Sequence, residues 1–487
     1  MLCPLHLCIS RLTSLMFRFV VAGSDKRHYS DLIAMPGQAL PSMLNASNSA
    51  FALATIRDRL PVILVKTLDD LVKCKGKYGN PENDFDDIKS VISEISKLRY
   101  ELMTNKPFVP LLPEPDAVDI DVYNEIVLKY NKADMSWFGA PWLFVECYMY
   151  RRLRNITINC GLPKLDLFHE RKAMGFSKSA RSLVSMCECL EESLLSLEPE
   201  RLHEDLKFFL MCSLWANEFD LSLKADVMGL KHINTSQLRS DVRIKTATQM
   251  VVDDMDTITN RWPPRFAATS ADHRRTVVLV MDNTAPEMFA DLVLCEFLLG
   301  AGLAERIVFM PKIMPWFVSD VTQFDFDWLL KEALPGCAVS QKLAVWAERW
   351  SQRFHEGSFA LELHAFWTFP FGYNELQTRF PDLYRRLTMD CDVVIFKGDL
   401  NYRKLVEDRL WTPDSQEDKR TAFQRCFSNS LALDDDGGGG GSRPLLVALR
   451  VAKSDVAVGL TPARLQAVRA LDPQWWVKGL FGFAQFL

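Results

Sequence analysis

The sequence predicts an α/β protein, with helices on the faces of a mostly parallel sheet, and three consecutive stretches in its second half carry that expectation. The first is an unbroken apolar run, Thr276-Val-Val-Leu-Val-Met281, which stops at Asp282-Asn283 and reads as a strand buried on both faces. The second, Glu287 to Leu299, places Phe289, Leu292, Val293, Phe297 and Leu298 at helical spacing and is closed by Gly300 and Gly302. The third is another short apolar run, Arg306-Ile-Val-Phe-Met310. Strand, helix and strand in that order make a βαβ crossover, and a crossover implies parallel strands. Ligands of such sheets sit beyond the carboxyl ends of the strands, so Asp282 and Asn283 stand at the expected place for chemistry.

The elements before this unit read as helical. Residues 1–48 differ from the rest: Met1 to Gly23 is apolar, carries Arg11 and Arg18, and has no acid before Asp25, which permits either a mitochondrial presequence or a disordered extension. Arg18 interrupts the apolar stretch, so it is too short to span a bilayer. From Ser49 to Thr246 apolar residues recur at helical spacing, and residues 49–246 are expected to form a helical region packed on the core of residues 247–487. Within it, Ser136 to Leu153 is dense in aromatics, with Pro141 placed to start a helix and with Glu146 and Arg151 set among apolar neighbours. Buried charges of that kind need partners. Asn217 and Asp220 lie where a further helix would end near a cleft.

The pattern stays α/β after the crossover. Phe324 to Ala333 reads as a helix that Asp320 or Thr322 could cap, and Gln341 to Phe354 as another. Asp392-Val-Val-Ile-Phe396 and Pro444-Leu-Leu-Val-Ala-Leu449 are further buried strands, each ending in polar residues. Between them, the low-complexity segment of residues 434–442 is a flexible surface insertion. Its glycines are not followed by Lys-Ser/Thr in the register of a phosphate loop.

Composition narrows the function classes. The chain has 487 residues, 48% of them hydrophobic, with a formal net charge of −5, so it offers no basic field for nucleic acid and, past the first residues, no membrane segment. Its 12 cysteines are scattered without a CxxC pair. Cys187 and Cys189 read as ordinary thiols on a helix, in a cytoplasmic or nuclear protein.

The strand ends then supply a constellation. Asp282, Asn283 and Asp320 offer the oxygen ligands that suit a hard divalent cation. Lys312, Lys397, Asn401, Arg450 and Lys453 offer cations and donors suited to a phosphoryl group. Together they suggest a metal-assisted phosphatase. Each residue also has a plain structural account: Asp282-Asn283 as a strand-ending turn, Asp320 as a helix cap, Lys397-Gly398 as a tight loop. His169 and His364 are candidate general acids, although a histidine beside aromatic residues is more often a core group.

Several motifs resemble those of the damage-control phosphatase family. They are Asp282-Asn283 with Glu287, the run Lys312-Ile-Met-Pro-Trp-Phe-Val-Ser-Asp320, Phe396-Lys-Gly-Asp-Leu-Asn-Tyr-Arg-Lys-Leu405, Pro141 to Arg152, and Asp472-Pro-Gln-Trp-Trp476. The match is best to the branch of sugar-phosphate phosphatases, some of which have been described as protein-glutamate O-methyltransferases, and it covers about Ser49 to Leu487. This resemblance implies an α/β/α sandwich with an N-terminal helical region. It implies a divalent metal (manganese, cobalt, nickel or magnesium) held by Asp282, Asn283 and Asp320, and substrate contacts from Gly398, Asp399, Leu400, Asn401, Tyr402 and Lys453. The expected substrate is a small phosphorylated metabolite such as fructose 1-phosphate or fructose 6-phosphate, with no nucleic acid or membrane partner.

The chain departs from the family pattern in a few places. Pro286 stands where the family has glycine, Thr284 replaces a small residue, and Val406-Glu-Asp-Arg409 and His364-Ala-Phe-Trp367 replace Val-Gly-Asp-Arg and His-Pro-Phe-Trp. A proline is tolerated at a helix start, so these changes bear on substrate preference more than on the metal. The alternative is methyl transfer from S-adenosylmethionine to a protein carboxylate, for which the resemblance assigns cofactor contacts to Arg59 and Glu287. The glycine-rich loop that receives a nucleoside cofactor is missing after the first strand, which favours phosphate hydrolysis. Within hydrolysis, Asp282 could attack phosphorus or only ligate metal while water attacks; water is favoured, because Asn283 and Asp320 alone would hold the metal poorly.

Overall fold

Buried strands with apolar residues on both faces need cover on both sides, and the computed structural model has this arrangement. It describes residues 40–74, 84–115, 117–222, 234–267, 274–284, 286–427 and 443–487. The presequence candidate and the 434–442 insertion lie outside the described residues, as does the side chain of Asp220. Seven strands form one sheet: β1 (Met250–Asp253), β2 (Thr276–Val280), β3 (Arg306–Met310), β4 (Phe359–Leu361), β5 (Val393–Lys397), β6 (Leu445–Val451) and β7 (Gly482–Phe486), in the order β1-β7-β6-β5-β2-β3-β4. All pairings are parallel except β6 with β7. The α/β class and the mostly parallel sheet are therefore as the sequence predicts.

Alternation along each strand sends neighbouring side chains to opposite faces. In β2, Val278 and Val280 join a core shared with the N-terminal helices, while Val277, Leu279 and Met281 join a second core on the other face. That second core is closed by the helices His169–Leu195, Pro199–Ser222 and Pro286–Gly300. Since one core spans the N-terminal helices and the sheet, Ser42–Leu487 is a single compact unit. Its packed chain starts before Ser49: Leu44 is fully buried, its N–H donates to Asp408 O, and its carbonyl accepts from Trp142 N.

The predicted strands fall within a residue or two of their places. β1, β4 and β7 were not legible, for physical reasons: β4 has three residues, β1 four, and β7 opens on Gly482 and carries Gln485. Thr322, and not Asp320, begins the helix Gln323–Trp328, with the Asp325 carboxylate accepting from Thr322 N at 2.8 Å and Thr322 Oγ1 at 2.7 Å. Pro141 is the N-cap of Trp142–Asn159, and Pro286 the first residue of its helix. The buried charges are paired: Glu146 with Arg403, and Arg151 with Glu114 and Asp119. Cys187 and Cys189 are buried free thiols.

Candidate active site

The site is assembled where the segment after β3 runs back beside the segment after β2. Val321 N donates to Asp282 O at 2.8 Å, Thr284 N to Ser319 O at 2.7 Å, and Lys312 N to Val321 O at 2.8 Å. This short ladder brings Asn283 opposite Asp320. To reach it the chain reverses through two non-glycine residues in the left-handed region, Phe317 (φ 42°) and Val318 (φ 72°). A β-branched residue there costs on the order of 1–3 kcal/mol, which surrounding contacts must offset. They are present: Trp316 is fully buried, and the Phe317 ring stacks on Tyr150 at 4.7 Å.

Three carboxylates gather at this point with two lysines behind them. Asn283 Nδ2 donates to Asp282 Oδ2 (2.7 Å) and Glu287 Oε2 (2.9 Å), and its Oδ1 accepts from Ser319 Oγ (2.6 Å). Lys312 Nζ donates to Met281 O at 2.9 Å and lies 3.1 Å from Asp320 Oδ2. The Lys312 ammonium is thus the buried ion-pair partner of Asp320. Burial pushes the Asp282 carboxyl well above its ordinary range, and the charges of Glu287 and Asp320 push the same way, against Lys312 and Lys453. Asp320 is raised as well, by burial, with Lys312 opposing.

The pocket in front of this cluster is small, with a cavity volume of about 20 Å³. Asp282, Asn283, Glu287, Gly398, Asp399 and Lys453 line it, so the structure brings together residues from four predicted stretches. Gly398 (φ +84°) opens the helix Gly398–Leu405 directly against Asp282. Burial would raise the Asp399 carboxyl, but Arg450 and Arg403 outweigh it and hold the group below its ordinary range. Asp399 Oδ1 accepts from Arg450 Nε (2.7 Å), Lys453 N (3.0 Å) and Ser454 Oγ (3.1 Å). Among the described residues, Lys453 is the lining cation whose ammonium has no ion pair.

Other predicted residues stand behind the pocket wall. Lys397 Nζ is consumed by Ser213 O (2.7 Å), Ser213 Oγ (2.6 Å), Asp291 Oδ1 (2.9 Å) and Glu287 Oε1 (3.1 Å). Asn401 donates to Lys397 O at 2.8 Å, and Tyr402 to Gln485 Oε1 at 3.0 Å. Leu400 is buried, as is Arg450, whose guanidinium serves Asp399, Ser454 and Val456. Asp320 and Lys312 do not line the pocket, and Arg59 is exposed away from it. His169 packs edge-on to Phe324 and Trp328, and His364 Nδ1 accepts from Phe366 N at 3.0 Å. Both histidines are therefore structural. Leu214, Asn217 and Val451 complete the lining, and of these only Asn217 carried a sequence signal, its polarity in an apolar helix.

Among the described residues, no group of three or more His, Cys, Asp or Glu side chains is arranged as a ligand set. The chemistry still suits a hard cation. Three buried acids raise one another's affinity for positive charge, and beside Asp282 and Asp320 the third donor is an amide oxygen from Asn283.

Comparison with known proteins agrees with these motifs. The model of the damage-control phosphatase ARMT1-like domain matches residues 55–468. The chain is 32% identical over 465 residues to damage-control phosphatase ARMT1 of Homo sapiens, covering 92% of this chain and 98% of that protein. It is 32% identical to the protein of the same name from Danio rerio over 469 residues, covering 93% and 97%. For the Rattus norvegicus protein the identity is 33% over 468 residues, with 92% and 98% covered.

Proposed function

The chain belongs to the damage-control phosphatase ARMT1-like family and is a phosphatase, and on that premise we propose that it hydrolyses small sugar phosphates, fructose 1-phosphate and fructose 6-phosphate among them, with a divalent cation. The observation that carries this reading is the pairing, in one pocket, of the Asp282-Asn283 strand end with the ammonium of Lys453, which has no ion pair among the described residues. Asp282, Asn283 and Asp320 are the residues that would hold manganese, cobalt, nickel or magnesium. When bound, such an ion supplies polarisation of a phosphoryl oxygen and a more acidic water.

The protein's own groups do the rest. Lys453 attracts the phosphoryl oxygens and offsets charge that builds on them. Asp399, held ionised by its arginines, repels a phosphoryl group and so faces the alcohol part of the substrate, where it accepts hydroxyl hydrogen bonds. Asp282 is pressed against Gly398 and tied to Asn283, which suits a carboxylate that orients an attacking water; trapping a fluoride analogue bonded to Asp282 would instead identify it as the nucleophile. The Asn283 amide oxygen accepts one bond, from Ser319, and its second lone pair would be the one to serve a cation.

Methyl transfer has less support. Glu287 is fully engaged by Asn217, Asn283 and Lys397, and Arg59 is not among the pocket residues. No helix among the described residues is long and apolar enough to cross a membrane, and a cytoplasmic or nuclear location is part of this proposal. The test is phosphate release from a sugar-phosphate panel, with chelator, with manganese or cobalt, and with Asp282→Ala. Release that needs metal and vanishes in Asp282→Ala is expected; release that is indifferent to both would remove the reading.

A further inference from the structure

Both carboxylate oxygens of Glu287 have partners inside the protein. Its Oε1 lies 3.1 Å from Lys397 Nζ, and its Oε2 accepts from Asn283 Nδ2 at 2.9 Å and from Asn217 Nδ2 at 2.5 Å. The last bond fixes how the Asn217 carboxamide points. In the reverse orientation two oxygens, neither bearing a proton, would stand 2.5 Å apart, so the amide nitrogen must face Glu287. Asn217 Oδ1 is then directed elsewhere. It accepts from no described residue, it is not among the buried polar atoms sealed from solvent, and its side chain lines the pocket.

An uncharged acceptor in this place is chemically selective. An ionised phosphoryl group carries acceptors and no donor, so it cannot bond to a carboxamide oxygen. With the divalent cation assigned to Asp282, Asn283 and Asp320, the remaining partner for Asn217 Oδ1 is an O–H or N–H, and in a phosphomonoester that group belongs to the alcohol. Leu214 and Val451 beside it are apolar and offer a hydroxyl no replacement for the water it leaves. We propose that Asn217 contacts substrate, accepting through Oδ1 a hydrogen bond from a hydroxyl of the alcohol moiety, and so selects polyol phosphates over esters that lack hydroxyls. This rests on the phosphomonoester reading of the pocket.

Asn217 also has a plainly structural task, holding Glu287, and the experiment must separate the two. It measures kcat/KM for fructose 1-phosphate and for p-nitrophenyl phosphate, which has no hydroxyl, in the parent and in Asn217→Ala, together with the Ki of inorganic phosphate. The expected result is a loss of kcat/KM on fructose 1-phosphate that exceeds the loss on p-nitrophenyl phosphate, and the change in phosphate Ki, by about tenfold or more, in line with one hydrogen bond to substrate left unmade. Equal losses on both substrates would assign Asn217 to Glu287 alone and overturn the proposal, as would no loss on either. A parent that turns over p-nitrophenyl phosphate and no sugar phosphate also overturns it. A parent that releases phosphate from neither, with any metal, overturns the phosphomonoester reading itself.

Discussion

The carboxylate of Asp282 occupies the space in which residue 398 would carry a side chain: a Cβ built on Gly398 would stand 2.0 Å from Asp282 Oδ2. The backbone there is at φ +84°, so glycine is required twice, by conformation and by contact. Gly398→Ala must therefore displace Asp282, which belongs to β2's end, or the start of the Gly398–Leu405 helix. A displacement of about 1 Å at a reacting group costs roughly 100-fold in rate. We expect a loss of at least that size in kcat, with a fold that melts cooperatively. Near-parental kcat in folded Gly398→Ala would show that Asp282 is not held by this contact.

Lys453 should behave as a phosphate anchor. Lys453→Met keeps the length of the side chain and removes the charge, and it should raise KM for a phosphomonoester and the Ki of inorganic phosphate together, each by about 10-fold or more. Steady-state kinetics with both ligands checks this. A change in kcat with no change in either constant would place Lys453 elsewhere in the reaction.

Lys172 is a buried ammonium that does not line the pocket, 3.1 Å from Asp166 Oδ2 and 2.9 Å from Asp325 Oδ2. Through Asp325 it holds Thr322, two residues beyond Asp320. Lys172→Met leaves two buried carboxylates without their cation and should destabilise the protein by about 3–5 kcal/mol. Urea unfolding at neutral pH measures the loss, and a change under 1 kcal/mol would mean that the acids find other partners or take up protons at little cost.

Lys404 gives a pH signature. Burial pushes its ammonium down to about 7, with no carboxylate bonded to it: Nζ donates to Phe366 O at 2.9 Å and Trp367 O at 3.2 Å. The unfolded chain keeps this lysine protonated to about pH 10, so between pH 7 and 10 the unfolded state binds the extra proton. The contribution of Lys404 to stability thus rises with pH through that window and is least below 7. Lys404→Met loses the two bonds at every pH but is spared the buried charge, so relative to the parent it should be less destabilised at pH 6 than at pH 9.5, by a few kcal/mol (ceiling roughly 5). Denaturation at the two pH values reads the difference, and a pH-independent difference would show that Lys404 keeps its proton throughout.

Much of the site was legible because strand ends are marked by abrupt changes from apolar to polar residues. That signal located Asp282, Asn283, Lys397, Gly398 and the approach to Lys453. It could not say which polar residues face the pocket. Lys397 and Lys453 follow similar apolar runs, yet one is neutralised by Asp291 and Glu287 from the 286–300 helix while the other lines the pocket with no ion pair among the described residues. The partners that decide this are far away in sequence. Asn217 contributes from a helix whose only mark was a polar residue among apolar ones, and Glu287, expected beside a cofactor in one reading, is committed to three internal partners. The short β1 and β4 were hidden for lack of length, and β7 because its burial depends on neighbours that local pattern does not reveal.

The placement of β7 between β1 and β6 has a bearing on synthesis. Met250 of β1 pairs with Gly482 of β7, and among the described residues β1 has no other strand neighbour. A nascent chain can therefore lay β2, β3, β5 and β6 side by side as they emerge from the ribosome, but β1 must wait for residues 482–486. Until then the outer edge of β6 is bare, and with it the row of backbone groups most prone to join another chain. A messenger cut short before this strand would yield a product with most of its pocket residues and a sheet edge that only a chaperone, or a second truncated copy, could cover.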